Sequence, residues 1–250
     1  MGEAGMLKRV FVGALSAVLL VGPLVTVAAH ASDGAGGGSG QQQGQSGGNG
    51  QQGQDQGRTV ECKNQTFGPV TIDANIVVPA GAFCQLNGTH VTGDATAKAG
   101  PPEPSNPTGL NSEGATIDGN VDVQQNAQFA AFAGSTVGGN VGCHRCEVAD
   151  VQDSTVKGNQ EDNGVSEGAF ISNSHINGNL HIQHGTDFFG SGFHIDGNTI
   201  GDNLGFNQNT GTSDISANTI GGNLHCNGNT PPPLGGGNTA QQKTGQCAAL

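Results

Sequence analysis

The chain has 250 residues, 45 of which are Gly, and it contains no Trp, no Tyr and only 11% charged residues. So much glycine disfavours helices, which argues against an α-rich enzyme. The formal net charge is −12, so nucleic acid is not an expected partner, because binding to it depends on Lys and Arg.

The N-terminal 31 residues have the features of a secretion signal. Lys8 and Arg9 precede the apolar run Val10–Ala29, and Ala29-His30-Ala31 fits the small-x-small pattern of a cleavage site. A membrane anchor is the alternative, since the run is just long enough to span a bilayer, but a proline within it and the glycine-rich sequence after it favour removal. We therefore predict a signal peptide at residues 1–31. The mature protein is expected to be extracellular, either secreted or associated with the cell envelope, and to keep no membrane segment.

Residues 32–58 consist almost entirely of Gly, Gln, Ser and Asn. They include no apolar residue larger than Ala, so they cannot bury enough surface to offset the entropy lost on ordering. We predict a disordered linker here. It serves either as a spacer between the cell envelope and the following domain or as a tail without a specific role.

From Thr59 onward the chain repeats a unit of about twenty residues, and this period decides the predicted fold. The unit reads Thr/His, Ile/Val, any residue, Gly, Asn/Asp and then an apolar residue, as in Thr116-Ile117-Asp118-Gly119-Asn120-Val121. Its Asn/Asp position recurs at residues 94, 120, 140, 159, 179, 203 and 223, at intervals of 19 to 26 residues. The uneven intervals indicate short insertions into a twenty-residue repeat.

Each unit predicts short strands joined by a tight corner. Its apolar residues alternate with polar ones, as in a half-buried strand, and Gly-Asn tolerates the left-handed backbone angles of a sharp turn. A twenty-residue coil cannot enclose a core alone, so coils must stack with their strands paired in parallel. We predict an all-β fold, a parallel β-helix (β-solenoid) of about seven coils at residues 59–250, with a C-terminal cap from about residue 227. An antiparallel sandwich is the alternative, although its turns recur every ~8–12 residues.

The recurrent corner asparagine predicts a hydrogen-bond ladder along the stack, of the kind that identical stacked residues form. The predicted ladder consists of Asn120, Asn140, Asn159, Asn179, Asn203 and Asn223. The residue three positions after the corner Asn or Asp is expected to point inward. These inward residues are Ala97, Val123, Cys143, Asp162, Ile182, Phe206 and Cys226.

The Thr-Ile-x-Gly-Asn-Val-x-Val unit resembles the coils of right-handed parallel β-helices and is similar to those of bactofilins, the polymer-forming cytoskeletal proteins of bacteria. The chain also resembles uncharacterised secreted proteins of actinobacteria, whose endings are similar to Gly222-Asn223-Leu224-His225-Cys226 through Gly245-Gln246-Cys247. These resemblances cover about Thr59 to Cys247 and imply right-handed winding. The first suggests self-assembly, although bactofilins lack a signal peptide and disulfides. The second implies no catalytic residues.

Six cysteines in a chain predicted to be secreted indicate disulfides, although six cysteines allow 15 pairings. Cys143 and Cys226 lie four coils apart, about 19 Å by strand spacing, which is too far for a bond. The preferred set joins cysteines close in sequence, namely Cys62–Cys84, Cys143–Cys146 and Cys226–Cys247. The first and last bonds would stabilise the two ends of the solenoid.

Cys143-His144-Arg145-Cys146 also has the two-residue spacing of redox and zinc motifs. A redox motif requires a strand-to-helix context, and a zinc site requires a second pair of ligands. The sequence predicts neither feature, so we favour a structural disulfide.

An acidic insertion and a group of histidines are weak candidates for metal binding. Glu161 and Asp162 offer oxygen ligands, while His181 and His184 lie three residues apart, on opposite faces if this stretch is a strand. The spacing matches no known calcium loop. We predict no metal site and no cofactor, and divalent-metal binding through these four residues is the alternative.

The sequence therefore predicts a secreted, non-enzymatic structural or adhesion module of the cell surface or extracellular matrix, with no catalytic residues. Its expected partners are a cell-wall glycan, a surface protein or a second copy of the chain. The alternative is a polysaccharide-active enzyme of the lyase or hydrolase type. Such an enzyme would require carboxylates, including Glu161, to converge in an open cleft beside Lys157 or Arg145.

Overall fold

The computed structural model describes residues 58–99, 108–188 and 190–250. Every regular element in these ranges is a β-strand, which confirms the all-β prediction. The same ranges contain no helix long and apolar enough to cross a membrane. The predicted signal peptide and all of the predicted linker except Arg58 lie outside the described residues, so both stay predictions.

The strands of the described residues form three sheets. Sheet 1 consists of β1 (Thr59–Glu61), β4 (Asn75–Val78), β7 (Ala95–Ala97), β10 (Val121–Val123), β13 (Val141–His144), β16 (Gln160–Asn163), β19 (Leu180–Gln183), β22 (Leu204–Asn207), β25 (Asn223–Asn227) and β27 (Gln242–Gly245). Sheet 2 consists of β2 (Gln65–Phe67), β5 (Phe83–Asn87), β8 (Gly109–Glu113), β11 (Phe129–Ala133), β14 (Val148–Gln152), β17 (Gly168–Ser172), β20 (Phe193–Asp196), β23 (Ser213–Ser216) and β26 (Leu234–Gly236). Sheet 3 consists of β3 (Thr71–Ile72), β6 (His90–Val91), β9 (Thr116–Ile117), β12 (Thr136–Val137), β15 (Thr155–Val156), β18 (His175–Ile176), β21 (Thr199–Ile200) and β24 (Thr219–Ile220).

The chain passes through sheets 1, 2 and 3 in turn, and each circuit is one coil of a β-solenoid. Successive coils stack so that each strand pairs in parallel with its counterparts one coil before and one coil after. In β10, for example, Val121 lies between Ala95 of β7 and Val141 of β13. Parallel pairing of the strands in all three sheets contradicts the antiparallel sandwich and supports the predicted stacking.

The solenoid has about nine coils rather than the seven predicted, since sheet 2 alone contains nine strands. The sequence count treated each Gly-Asn/Asp corner as one coil. The corner at Asn75 has Ala74 in place of the glycine, so this count does not include it. With Asn75 added there are eight corners, and eight corners separate nine coils. The right-handed winding stays a prediction.

The repeated motif spans the corner from sheet 3 to sheet 1, which we call corner 3–1. Ile117 precedes this corner in sheet 3, Val121 and Val123 follow it in sheet 1, and all three side chains are buried. Full burial of such a side chain contributes roughly 1.5–3 kcal/mol, so the alternating pattern favours coils that close around a common core. The predicted inward positions after the corner are all buried, including the one that Asp162 occupies.

The uneven intervals between repeats arise at the corner from sheet 1 to sheet 2, which we call corner 1–2. Here β7 ends at Ala97 and β8 begins at Gly109, while β19 ends at Gln183 and β20 begins at Phe193. The other two corners, 2–3 and 3–1, contain only two or three residues in each coil. All the extra length of the chain is therefore placed along one edge of the solenoid.

Candidate functional site

The predicted corner asparagines form a continuous hydrogen-bonded row along corner 3–1, which we call the outer ladder. The Oδ1 atom of Asn140 accepts from the backbone N–H of Asn159 at 2.8 Å and from its Nδ2 at 3.2 Å, and the same pattern repeats along the row. The ladder consists of Asn75, Asp94, Asn120, Asn140, Asn159, Asn179, Asn203 and Asn223. It thus extends beyond the six predicted residues by two positions at its N-terminal end.

Glycine precedes most ladder residues because the coils approach each other closely there. A Cβ at Gly139 would lie 2.5 Å from the Oδ1 of Asn120, the atom that accepts the N–H of Asn140. We expect Gly139→Ala to break this bond and to lower the free energy of unfolding by about 1–3 kcal/mol in urea denaturation. Gly68→Ala is the control, since a Cβ there meets nothing within 4 Å. Equal stability of the two variants would contradict the role given to Gly139.

A second ladder, which the sequence analysis did not predict, lies inside corner 2–3. Asn198, Asn218 and Asn238 are at most 6% exposed. The Oδ1 of each accepts a hydrogen bond from the backbone N–H of the corresponding residue one coil earlier. The N–H of Asn198 lies 3.0 Å from the Oδ1 of Asn218, whose Nδ2 donates to the carbonyl of Ile195 at 2.8 Å. We call this row the inner ladder. It satisfies backbone groups that would otherwise be buried without partners.

Corner 1–2 has a similar row in the last coils. Asn209 donates its N–H to the Oδ1 of Asn229 at 3.0 Å, and Asn229 donates its N–H to the Oε1 of Gln246 at 2.8 Å. Side-chain amides therefore bridge successive coils at all three corners near the C-terminal end. These hydrogen bonds between coils specify one arrangement of the backbone at each corner and oppose the separation of neighbouring coils.

The structure joins the cysteines in the preferred pairs. The Cα atoms lie 5.5 Å apart in Cys62–Cys84, 5.8 Å in Cys143–Cys146 and 5.3 Å in Cys226–Cys247. The first bond links the first two coils, and the last links β25 to the segment after β27, so both ends of the solenoid are held. The middle bond spans corner 1–2, and both of its cysteines are completely buried.

The structure separates the four weak metal candidates. Glu161 and His181 are neighbours in the register of β16 and β19, on the outward face of sheet 1. Asp162 points to the opposite face and is completely buried, while His184 lies at corner 1–2 with a φ of 55°. Among the described residues, no three His, Cys, Asp or Glu side chains are placed to hold a metal ion.

The candidate functional site is a groove of about 760 Å³ along corner 1–2, which we call the corner groove. Its volume is typical of sites for small molecules or short oligomers. The groove is lined by Gln125, Asn126, Arg145, Glu147, Asn163, Gly164, Ser166, His184 and Thr186. These side chains supply a guanidinium, an imidazole, a carboxyl, amides and hydroxyls, so the groove is suited to a polar ligand.

The backbone of four successive coils builds the floor of the groove. Asn126, Arg145, Gly164 and His184 all have positive φ, of 66°, 55°, 74° and 55°. This left-handed conformation turns the chain sharply, so the following residue points inward, as the fully buried Cys146 does after Arg145. The four residues thus present a row of groups on the outside of the corner, one coil apart.

Gly164 makes room for the side chain of Arg145. A Cβ at Gly164 would lie 3.2 Å from the Cγ of Arg145, so the stem of Arg145 lies against the next coil. None of the ion pairs between described residues involves Arg145. Its charge is therefore not neutralised by a carboxylate of the described chain.

One glutamate, Glu147, lines the corner groove, and a second, Glu167, directly follows the lining residue Ser166. Burial raises the pKa of the Glu147 carboxyl above its ordinary value, and the charge of Glu167 raises it further. Burial also raises the pKa of Glu167, whose N–H donates to the carbonyl of Glu147 at 2.8 Å. Each carboxyl therefore holds its proton to a higher pH than a free glutamate does.

The groove differs from the cleft that the enzyme alternative required. It adjoins Arg145 as expected, but Glu147 takes the place expected for Glu161, which lies on the outward face of sheet 1. Lys157 lies at corner 3–1, between β15 and β16, and does not line the groove. The cation in the groove, Arg145, is one of the two expected from the sequence, whereas the carboxyl group, that of Glu147, is not the expected one.

The corner groove does not follow from the sequence, because its residues are distant along the chain. A signal was nevertheless present, since the corner positions 126, 145, 164 and 184 recur at intervals of 19 or 20 residues, like the outer ladder. Their side chains share no chemistry, so the period alone did not mark them as a group.

The described residues thus define a parallel β-solenoid with three disulfides and a polar groove along one corner. Comparisons of the chain with protein-family models, with curated proteins and with solved structures give no significant match.

Proposed function

We propose that the protein is a secreted, non-enzymatic adhesion or structural module that binds a cell-surface glycan through the corner groove. The observation that carries this proposal is a groove whose amides, hydroxyls and charged groups stand on a backbone held by hydrogen bonds between successive coils and by the Cys143–Cys146 disulfide. Saccharides offer many hydroxyls, which pair with such groups. A site ordered before binding loses little conformational entropy when the ligand enters, which favours affinity.

Secretion is part of the same proposal. Three disulfides fit an oxidising compartment, and the N-terminal residues fit a signal peptide. The glycine- and glutamine-rich segment would then act as a spacer that lets the groove reach its partner. Right-handed winding and a relationship to secreted actinobacterial β-helix proteins belong to this proposal as well.

Cosedimentation with purified cell-wall polysaccharide tests the proposal. We expect the oxidised protein to sediment with the polysaccharide and Ser166→Tyr to remain in solution, because a bulky ring at the lining residue Ser166 obstructs the groove. Thr116→Tyr, in the outward position of sheet 3, is the matched control and should sediment like the parent. Sedimentation of Ser166→Tyr at the parent level would show that the groove is not the binding site.

Light scattering over a wide range of protein concentration tests the other expected partner, a second copy of the chain. A constant monomer mass agrees with glycan adhesion through the groove. Growth into large assemblies, together with no polysaccharide binding, would replace adhesion with self-assembly as the function.

A polysaccharide-active enzyme is the second candidate, because Glu147 lines the groove together with Arg145 and its pKa is raised by burial and by the charge of Glu167. A carboxyl with a raised pKa is suited to act as a general acid. Release of reducing ends from the bound polysaccharide would favour this candidate. In that case Glu147→Gln should abolish the release of reducing ends and leave cosedimentation intact.

A further inference from the structure

Arg145 is the only Arg or Lys among the residues that line the corner groove. The chain carries a net charge of −12, so an Arg side chain has many carboxylates to pair with, yet Arg145 has no ion-pair partner among the described residues. Glu147 lies two residues further along and lines the same groove, but burial and Glu167 raise its pKa, whereas a close ion pair lowers it. The positive charge of Arg145 is therefore available to a ligand.

The local backbone directs this charge to the groove. Arg145 adopts a left-handed conformation on the outside of corner 1–2, and its stem packs over Gly164, where a side chain would crowd it. Its N–H donates to the carbonyl of Asn163 at 2.7 Å, which ties the residue to the next coil. The backbone of Arg145 is therefore fixed to the next coil and the first part of its side chain lies over Gly164, which places the guanidinium at the groove.

We propose that the ligand of the corner groove is a saccharide that carries a carboxylate, and that Arg145 binds this carboxylate. The inference depends on the proposed glycan-binding function and specifies its ligand class. A guanidinium presents a planar fork of N–H donors that matches a carboxylate with two parallel hydrogen bonds. The neutral groups Gln125, Asn163, Ser166 and Thr186 are then left to pair with the hydroxyls of the sugar.

The charges around the groove favour a carboxylate over a phosphate. Glu147 lines the groove, Glu167 lies beside it in the next coil, and the whole chain is acidic, so each further negative charge on a ligand adds repulsion. A carboxylate carries one charge and is satisfied by one guanidinium. A phosphate monoester carries up to two charges and would need more cations than the groove provides.

A saccharide carboxylate has two main chemical sources, a uronic acid or the lactyl ether of a muramic acid residue. Isothermal titration calorimetry of the full oxidised protein distinguishes them with three probes, namely tri-galacturonic acid, a disaccharide that contains N-acetylmuramic acid, and a neutral galactose trisaccharide. We expect at least one carboxylated probe to bind about tenfold or more tightly than the neutral probe. The carboxylated probe that binds more tightly identifies the source of the carboxylate.

The decisive variant is Arg145→Gln, because Gln is accepted in this backbone conformation, as Gln208 with a φ of 55° shows at the same corner. It should remove the preference, so that the carboxylated probe binds no more tightly than the neutral probe, and it should leave the melting temperature unchanged. Lys157→Gln removes a positive charge at corner 3–1 and should leave all affinities at the parent level.

Two results would overturn the inference in different ways. Equal affinities for carboxylated and neutral probes, unchanged in Arg145→Gln, would reject the carboxylate and leave the glycan-binding function in place. No binding of any probe, together with no sedimentation with cell-wall polysaccharide, would reject both proposals.

Discussion

The free energy of unfolding is expected to fall by about 4 kcal/mol as the pH rises from about 4 to about 7, because the core of the described chain contains one fully buried carboxyl. Asp162 is completely buried on the inward face of β16, between Cys143 of β13 and Ile182 of β19. Its Oδ1 and the Oε1 of Gln160 are buried and have no hydrogen-bond partner in the described chain. No cation among the inward residues of the adjacent strands compensates a charge there.

The direction of this change follows from the pKa of Asp162. Burial raises it from 3.8 to about 7, a hydrogen bond from the Nε2 of Gln160 at 3.0 Å lowers it, and the charge of Glu161 raises it. The unfolded chain releases the proton near the ordinary value, so between these two pH values the folded protein holds one more proton than the unfolded protein. Stability is therefore fully present below about pH 4 and decreases by about 1.4 kcal/mol per pH unit until about pH 7.

Urea denaturation at a series of pH values checks this result with two variants. Asp162→Asn keeps the size of the side chain and should remove most of the slope, leaving the smaller part from Glu147, Asp150 and Glu167, whose pKa values burial also raises. Glu161→Gln, at the exposed neighbouring position, should retain the slope. Identical pH profiles for Asp162→Asn and the parent would refute the assignment.

Asn218→Ala is expected to destabilise the protein by about 3 kcal/mol or more, since a buried unsatisfied polar group costs about 1–3 kcal/mol and this change creates several. The N–H and the Nδ2 of Asn198 each lose an acceptor at 3.0 Å, and the carbonyl of Ile195 loses a donor at 2.8 Å. Because Asn218 is only 1% exposed, water does not replace these partners. Thermal unfolding followed by circular dichroism measures the loss.

Asn140→Ala in the outer ladder is the matched control. The Oδ1 of Asn140 also accepts hydrogen bonds from the N–H and the Nδ2 of Asn159, one coil later. Unlike Asn218, Asn140 is exposed, at corner 3–1. Water can satisfy the groups that this change leaves, so we expect a loss of about 1 kcal/mol. Equal losses in the two variants would show that burial does not decide the contribution of a ladder.

The repeat predicted the fold because it combines two independent signals. Ile117 and Val121 recur with the alternation of a strand, and Gly119-Asn120 recurs where the chain must turn. Parallel stacking follows from both, since a single coil cannot bury these apolar residues alone. The number of coils does not follow, because the first corner has Ala74 in place of the glycine.

The inner ladder shows why the polar interactions inside the corners could not be predicted from the sequence. Asn198, Asn218 and Asn238 recur every 20 residues, directly before the Thr of the motif or its counterpart, so the period was visible. The rule of alternating faces applies within strands, but these residues follow a left-handed residue at a corner, as Asn218 follows Ala217 with a φ of 56°. That conformation turns a polar side chain into the core, which no pattern of apolar residues indicates.

Corner 1–2 is the one edge of the solenoid where the chain length varies, and the groove lies along it. The other corners keep two or three residues in each coil and carry the outer and inner ladders, so an insertion there would interrupt them. A longer connection at corner 1–2 costs only a small loop entropy. The solenoid thus combines two corners of nearly constant length with one edge whose length differs from coil to coil, so residues can be inserted at that edge without interrupting the outer and inner ladders.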